Sequence, residues 1–87
     1  MRKQYREILK KWFQNKLIHH RYAAYTTQVE MAERLAMDER SYIDLEHGKT
    51  CCSAVTLALV LTLCSEDPIG LLEELRCAFE AGIYEAA

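Results

Sequence analysis

Apolar residues return every three or four positions along almost the whole chain, and this period constrains the fold most. Tyr5, Ile8, Leu9, Trp12, Phe13 and Leu17 stand at i, i+3, i+4, i+7, i+8 and i+12. That spacing is one face of an α-helix. Lysines and arginines take the other face, so a helix is predicted over about residues 3–22. Three glycines and one proline are too few breakers for the hairpins of an all-β fold. Period and breaker count together predict an all-α domain.

Local start and stop signals divide the remainder into four further helices. Thr27 and Glu30 have capping-box spacing. The hydroxyl accepts the amide of the third helical residue, and the carboxylate returns to the cap's own amide. Val29, Ala32, Leu35 and Ala36 follow, giving a second helix over about 28–36. Asp38 is the next N-cap. Tyr42 and Leu45 form the buried face of a third helix, about 39–47, and Gly48 closes it in the left-handed conformation. Ser53 caps a fourth helix surrounded on nearly all sides by Val55, Leu57, Leu59, Val60, Leu61 and Leu63. Such a helix is expected in the middle of a core. Asp67 and Pro68 open the fifth as cap and first helical residue. Ile69, Leu72, Leu75, Phe79 and Ile83 carry it to about residue 84. A second stripe beside them, Leu71, Leu75 and Ala78, leaves apolar surface for a partner.

The 87 residues suffice for one small domain, and a 51% hydrophobic content makes a real core feasible. The longest apolar stretch, Ala54 to Cys64, is far short of the roughly 20 residues that cross a bilayer. Met1 to Glu7 run into an amphipathic pattern, not an apolar leader, so a cytoplasmic protein is expected. Cys51, Cys52, Cys64 and Cys77 include no CxxC pair and read as small buried hydrophobes. His19 and His20 lack further ligands at a recognised spacing, so no metal is expected. His20 reads instead as a packing residue with its ring tip at the surface. No nucleophile–base pair or glycine-rich phosphate loop is visible. No enzymatic activity, cofactor or small-molecule substrate is therefore expected.

Charge is unevenly divided. Residues 1–25 hold seven Lys or Arg against the single acid Glu7, a net +6; residues 26–87 hold four against twelve acids, a net −8. The basic segment has two readings, a phosphate-facing stripe or a neutralising partner for the acidic body, in cis or across a dimer.

The segment Thr27-Gln28-Val29-Glu30-Met31-Ala32-Glu33-Arg34-Leu35-Ala36, followed by Ser41-Tyr42-Ile43-Asp44-Leu45-Glu46-His47-Gly48-Lys49, resembles the phage-repressor-like (Cro/Xre) family. That family reads TQxELAxxLG and then a recognition helix ending in (I/L)ExGK. The resemblance covers about residues 17–64 and places a helix-turn-helix at about 27–48. It implies a five-helix lambda-repressor-like domain spanning residues 1–87. Ala32 is the small residue that lets two helices cross closely, with Leu35, Tyr42 and Leu45 filling the crossing.

The resemblance also implies a function, sequence-specific binding of double-stranded DNA by a transcriptional regulator. The start of the recognition helix then faces base edges, through Glu39, Arg40 and Ser41, with Asp44 one turn on. Arg40 is the residue able to grip a guanine edge bidentately. Gln28, Lys49 and Thr50 match phosphate-facing positions. Arg21 and Glu46 match a helix-1 arginine and a recognition-helix glutamate that pair, and a partly buried ion pair is predicted. A single unit of this size makes few contacts, so a homodimer is expected, with the C-terminal helix (Leu71, Leu72, Phe79, Ile83) as its element. The chain departs from the family in carrying Asp38, Glu39 and Asp44 on the surface that approaches DNA. It also places Ala36 where the family prefers glycine, and Ile43 where a polar residue is common. These departures support an alternative, a protein-interaction module on the same fold that has lost DNA binding.

Overall fold

A computed structural model of the chain describes residues 1–86. Five helices follow one another, α1 (Arg2–Ala23), α2 (Gln28–Arg34), α3 (Glu39–Glu46), α4 (Ala54–Leu63) and α5 (Pro68–Ala86). No strand occurs among the described residues.

The starts are set by side chains that satisfy orphan amides. Thr27 Oγ1 accepts from the Glu30 amide at 3.1 Å, and Glu30 Oε1 accepts from the Thr27 amide at 3.3 Å, completing the capping box. Asp38 Oδ2 accepts from the Ser41 amide at 3.0 Å, Ser53 Oγ from Thr56 at 3.1 Å, and Asp67 Oδ1 from Gly70 at 3.0 Å. Each bond replaces water on an amide that has no intrahelical partner.

Three successive helices stop by one device. After α1 the Thr26 amide donates to Arg21 O and the Tyr25 amide to Tyr22 O; after α2, Met37 donates to Ala32 O and Ala36 to Glu33 O. After α3, Lys49 donates to Asp44 O and Gly48 to Leu45 O. These are paired 6→1 and 5→2 closures around one left-handed residue. That residue is Tyr25 (φ 55°), Ala36 (φ 54°) and Gly48 (φ 71°) in turn. A side chain in this conformation costs about 1–2 kcal/mol, which glycine avoids. The α2–α3 turn is thus held in its tight form with alanine at the strained position.

The core is built by the first three helices. Phe13 and Leu17 from α1, Met31 and Ala32 from α2, Leu35 just after it, and Tyr42 and Leu45 from α3 are buried together, and Val60 joins them from α4. Helix α5 runs back along α1. Lys16 pairs with Glu74 toward one end. Tyr5 stacks edge-on against Phe79, with ring centroids 5.2 Å apart, toward the other. A Cβ on Gly82 would lie 2.5 Å from Ile8 Cδ1, so a larger residue there would require Ile8 to shift.

Three expectations need correction. Helix α4 is not central, for only Thr56 and Val60 are buried, while Val55 and Leu63 are 67% and 57% exposed. Its all-round apolarity carries no direction, and only the side bearing Thr56 and Val60 is covered. The cysteines are not uniformly buried; Cys51, Cys52 and Cys64 are half-buried and Cys77 is exposed. His20 does not present its ring tip to solvent, since Nε2 is enclosed and has no hydrogen-bond partner. Burial, reinforced by the nearby Arg34 charge, lowers its pKa below 6.5.

Candidate nucleic-acid interface

Helix α3 turns Tyr42, Leu45 and Glu46 into the protein. Glu46 is only 4% exposed, so its charge needs compensation. Arg21 supplies it across 25 residues of chain, with Nε donating to Oε2 at 2.9 Å and Nη2 to Oε1 at 2.7 Å. The two planar groups meet as a fork, the strong form of a charge-assisted pair. Gln28 Nε2 adds a longer bond to Oε1 at 3.4 Å. Burial raises the Glu46 pKa, but hydrogen bonds led by Arg21 outweigh it and hold the carboxyl below 4.5. The Arg21 pKa is raised, chiefly by its hydrogen bonds to Glu46. Tyr42 is fully enclosed in the same place; burial first, then the Glu46 carboxylate, push its hydroxyl upward.

The pair fixes the C-terminal end of α3 to α1 and to the first residue of α2. The side chains on the opposite face of α3 are thereby held outward. Glu39 and Arg40 are exposed, and Asp44 is half-buried. Arg40 Nε lies 3.7 Å from Asp44 Oδ1, with the arginine side chain 78% exposed. So loose and exposed a pair contributes little, and Arg40 keeps its freedom to reach another acceptor.

Two predicted contact residues have other commitments. The Ser41 hydroxyl donates to Asp38 Oδ1 at 2.7 Å, so it serves the helix cap. The Gln28 side chain is turned toward Glu46. Asp38 in turn is bound by the Ser41 hydroxyl and amide, which lower its pKa. Lys49 and Thr50 are exposed directly beyond Gly48. There α1 comes close again, for a Cβ on Gly48 would sit 2.6 Å from Gln14 Oε1. Gln14 stands seven residues before Arg21, two turns along the same face. That repeat was available in the sequence and its use against α3 was missed.

The basic residues of α1 divide by position. Lys10 lies 3.4 Å from Glu7, Lys16 pairs with Glu74 and Arg21 with Glu46. Arg2, Lys3, Arg6 and Lys11 have no carboxylate within salt-bridge reach among the described residues. No set of three His, Cys, Asp or Glu side chains gathers for a metal ion among those residues. No helix is long and apolar enough to cross a membrane.

No protein-family model, no curated protein and no solved structure matches the chain.

Proposed function

We propose that the chain is a sequence-specific DNA-binding transcriptional regulator, with α2 and α3 as a helix-turn-helix of the Cro/Xre type. The observation that carries this reading is the Arg21–Glu46 fork, which anchors α3 by one face and leaves Arg40, Lys49 and Thr50 outward. A reading helix needs that arrangement, with the element rigid and its free face available to a groove. Arg40 then reads a guanine edge, while Lys49 and Thr50 lie against phosphate. Glu39 stands beside Arg40 and selects by repulsion or by accepting from a cytosine amine. Gln28 and Ser41 support these contacts by holding Glu46 and Asp38.

The alternative is a protein-interaction module, favoured by the carboxylates of Asp38, Glu39 and Asp44. Two of the three are engaged locally. Asp38 caps α3, and Asp44 sits beside Arg40. Both keep their charge, and Asp44 loses its neighbour when Arg40 turns to a base, so in the DNA-binding reading Lys49 and the cations of α1 have to outweigh all three acids. Selection from a random duplex pool tests the choice. Enrichment of one motif supports a regulator; folded protein that enriches nothing supports the module.

A regulator of this size acts as a dimer in this reading. Of the α5 residues expected at the contact, Phe79 stacks on Tyr5, Leu71 and Ile83 are partly covered, and Leu72 is 46% exposed. The outer side of α4 is the better surface. Its ten residues carry no charge, and Val55, Leu63 and, on α5, Ile69 (76% exposed) are open. An uncharged apolar face can be buried against a second copy of itself in the isologous contact of a twofold dimer. Its aliphatic side chains supply the desolvated centre that such a contact needs.

A further inference from the structure

Helix α1 is longer than its contact with α3 requires. Arg21 meets the last residue of α3 and Gln14 abuts Gly48 just beyond it. From Gln14 back to Lys3 the helix continues for about 16 Å at 1.5 Å per residue. Over that length it runs beside the segment linking α3 to α4. Between them lies an open groove of about 680 Å³, lined by Arg2, Lys3, Arg6, Tyr5, Cys51 and Cys52 among others.

Lys3 and Lys10 stand at i−11 and i−4 from Gln14, on the helix face already turned to α3 by Arg21 and Gln14. Arg6 lies beside them on the same side. Among the described residues, the carboxylate paired within this stripe is Glu7, in an exposed contact with Lys10. Arg2, Lys3 and Arg6 meet no described carboxylate. On the opposite wall, burial lifts the Cys52 thiol to about 11 and keeps it protonated. Lys49 and Thr50, both exposed, directly precede the groove-lining Cys51 in the chain.

We propose that Arg2, Lys3 and Arg6 form, with Lys49, a second phosphate-binding surface that grips the DNA backbone beyond the groove read by α3. This rests on the DNA-binding reading and extends it. The ligand is the phosphodiester backbone of duplex DNA, bound without regard to sequence. The division of the basic residues supports this use. The C-terminal half of α1 spends Lys16 and Arg21 on internal acids, whereas Arg2, Lys3 and Arg6 in the N-terminal half pair with no carboxylate among the described residues. A phosphate contact releases counterions, so each should add about 0.9 to the slope of log affinity against log salt.

The test is binding of the full chain to a fluorescent duplex, both the motif from selection and a random sequence, across 50–200 mM salt. The Arg2→Gln, Lys3→Gln, Arg6→Gln triple variant should keep its fold, since all three side chains are exposed. Its slope should fall by roughly 2–3, and affinity for both duplexes should drop by the same factor. Lys11→Gln, an exposed cation about 100° round the helix from Lys10, should leave the slope within about 0.3 of the parent's. A triple variant with the parent's slope overturns this inference and leaves the DNA reading standing. So does a Lys11→Gln variant that loses a third of the slope lost by the triple variant, about 0.9, because net charge alone would then explain the effect. A parent that binds neither duplex at 50 mM overturns both.

Discussion

Arg21 holds Glu46 by two nitrogens at 2.7 and 2.9 Å, and through that fork the N-terminal helix fixes the helix whose outer face carries Arg40. The pair is a structural clasp. Removing its acid should cost more than any surface pair in the molecule, because Arg21 would keep a largely covered charge without its partner. Glu46→Ala is expected to lower stability by about 2–3 kcal/mol, below the range for fully buried pairs because Arg21 retains some solvent. Denaturant unfolding reads this directly. A loss under ~0.5 kcal/mol would place the pair among ordinary surface contacts.

Acid should weaken the fold in two steps. The His20 pKa is lowered from 6.5, so the unfolded chain takes up that proton first and stability begins to fall as pH drops below 6.5. The Glu46 pKa is lowered from 4.5, so its contribution is complete above 4.5 and is lost as pH falls through the folded value. Thermal unfolding of His20→Leu should lack the upper step, and Glu46→Gln the lower one. His20→Leu should also stabilise the protein at pH 7 by about 1 kcal/mol, since it removes an enclosed nitrogen that has no partner.

Ala36 and Gly48 hold the same left-handed conformation, at φ 54° and 71°. Ala36→Gly should therefore stabilise by about 0.5–1 kcal/mol, the steric relief exceeding the entropy that glycine loses on folding. For a domain of this size that is a rise of a few degrees in Tm. Gly48→Ala should destabilise by about 1–2 kcal/mol, because Gln14 must also move away. Shifts of opposite sign, the larger for Gly48→Ala, would support the shared closure; a destabilised Ala36→Gly would contradict it.

The five helices were legible because their signals are local. A capping box, three acidic or hydroxyl caps, and a glycine after α3 each act within four residues. The positive φ at Ala36 was not legible: alanine where the family prefers glycine pointed to a turn of another shape, yet the paired closure holds it left-handed at φ 54°. The left-handed Tyr25 gave no comparable signal, since tyrosine has no preference for that conformation. The position of α4 was not legible either. A helix apolar on every side shows how much surface seeks cover, while which neighbours arrive is decided by how α1 and α5 pack elsewhere. At the candidate site, the Arg21–Glu46 pair could be anticipated from the resemblance. The engagement of Ser41 by Asp38 was written in the i, i+3 cap spacing but gave way to a reading of Ser41 as a base contact.

The exposed aliphatic residues of α4 and α5 predict self-association that salt does not weaken. Sedimentation at tens of micromolar should report a dimer at both 50 and 500 mM salt. Leu63→Glu, on a residue 57% exposed, should give a folded monomer with unchanged helicity. A strict monomer in the parent protein would remove the dimer from this account.

The central claim is that the outward face of α3 reads DNA through Arg40. The most direct measurement is fluorescence anisotropy of parent and Arg40→Ala on a selected and a random duplex, at fixed salt. The account predicts tighter binding of the selected duplex by the parent. It also predicts a loss of about 1–3 kcal/mol on that duplex in Arg40→Ala, with binding of the random duplex nearly unchanged. Equal loss on both duplexes, or no binding by folded parent protein, would contradict it.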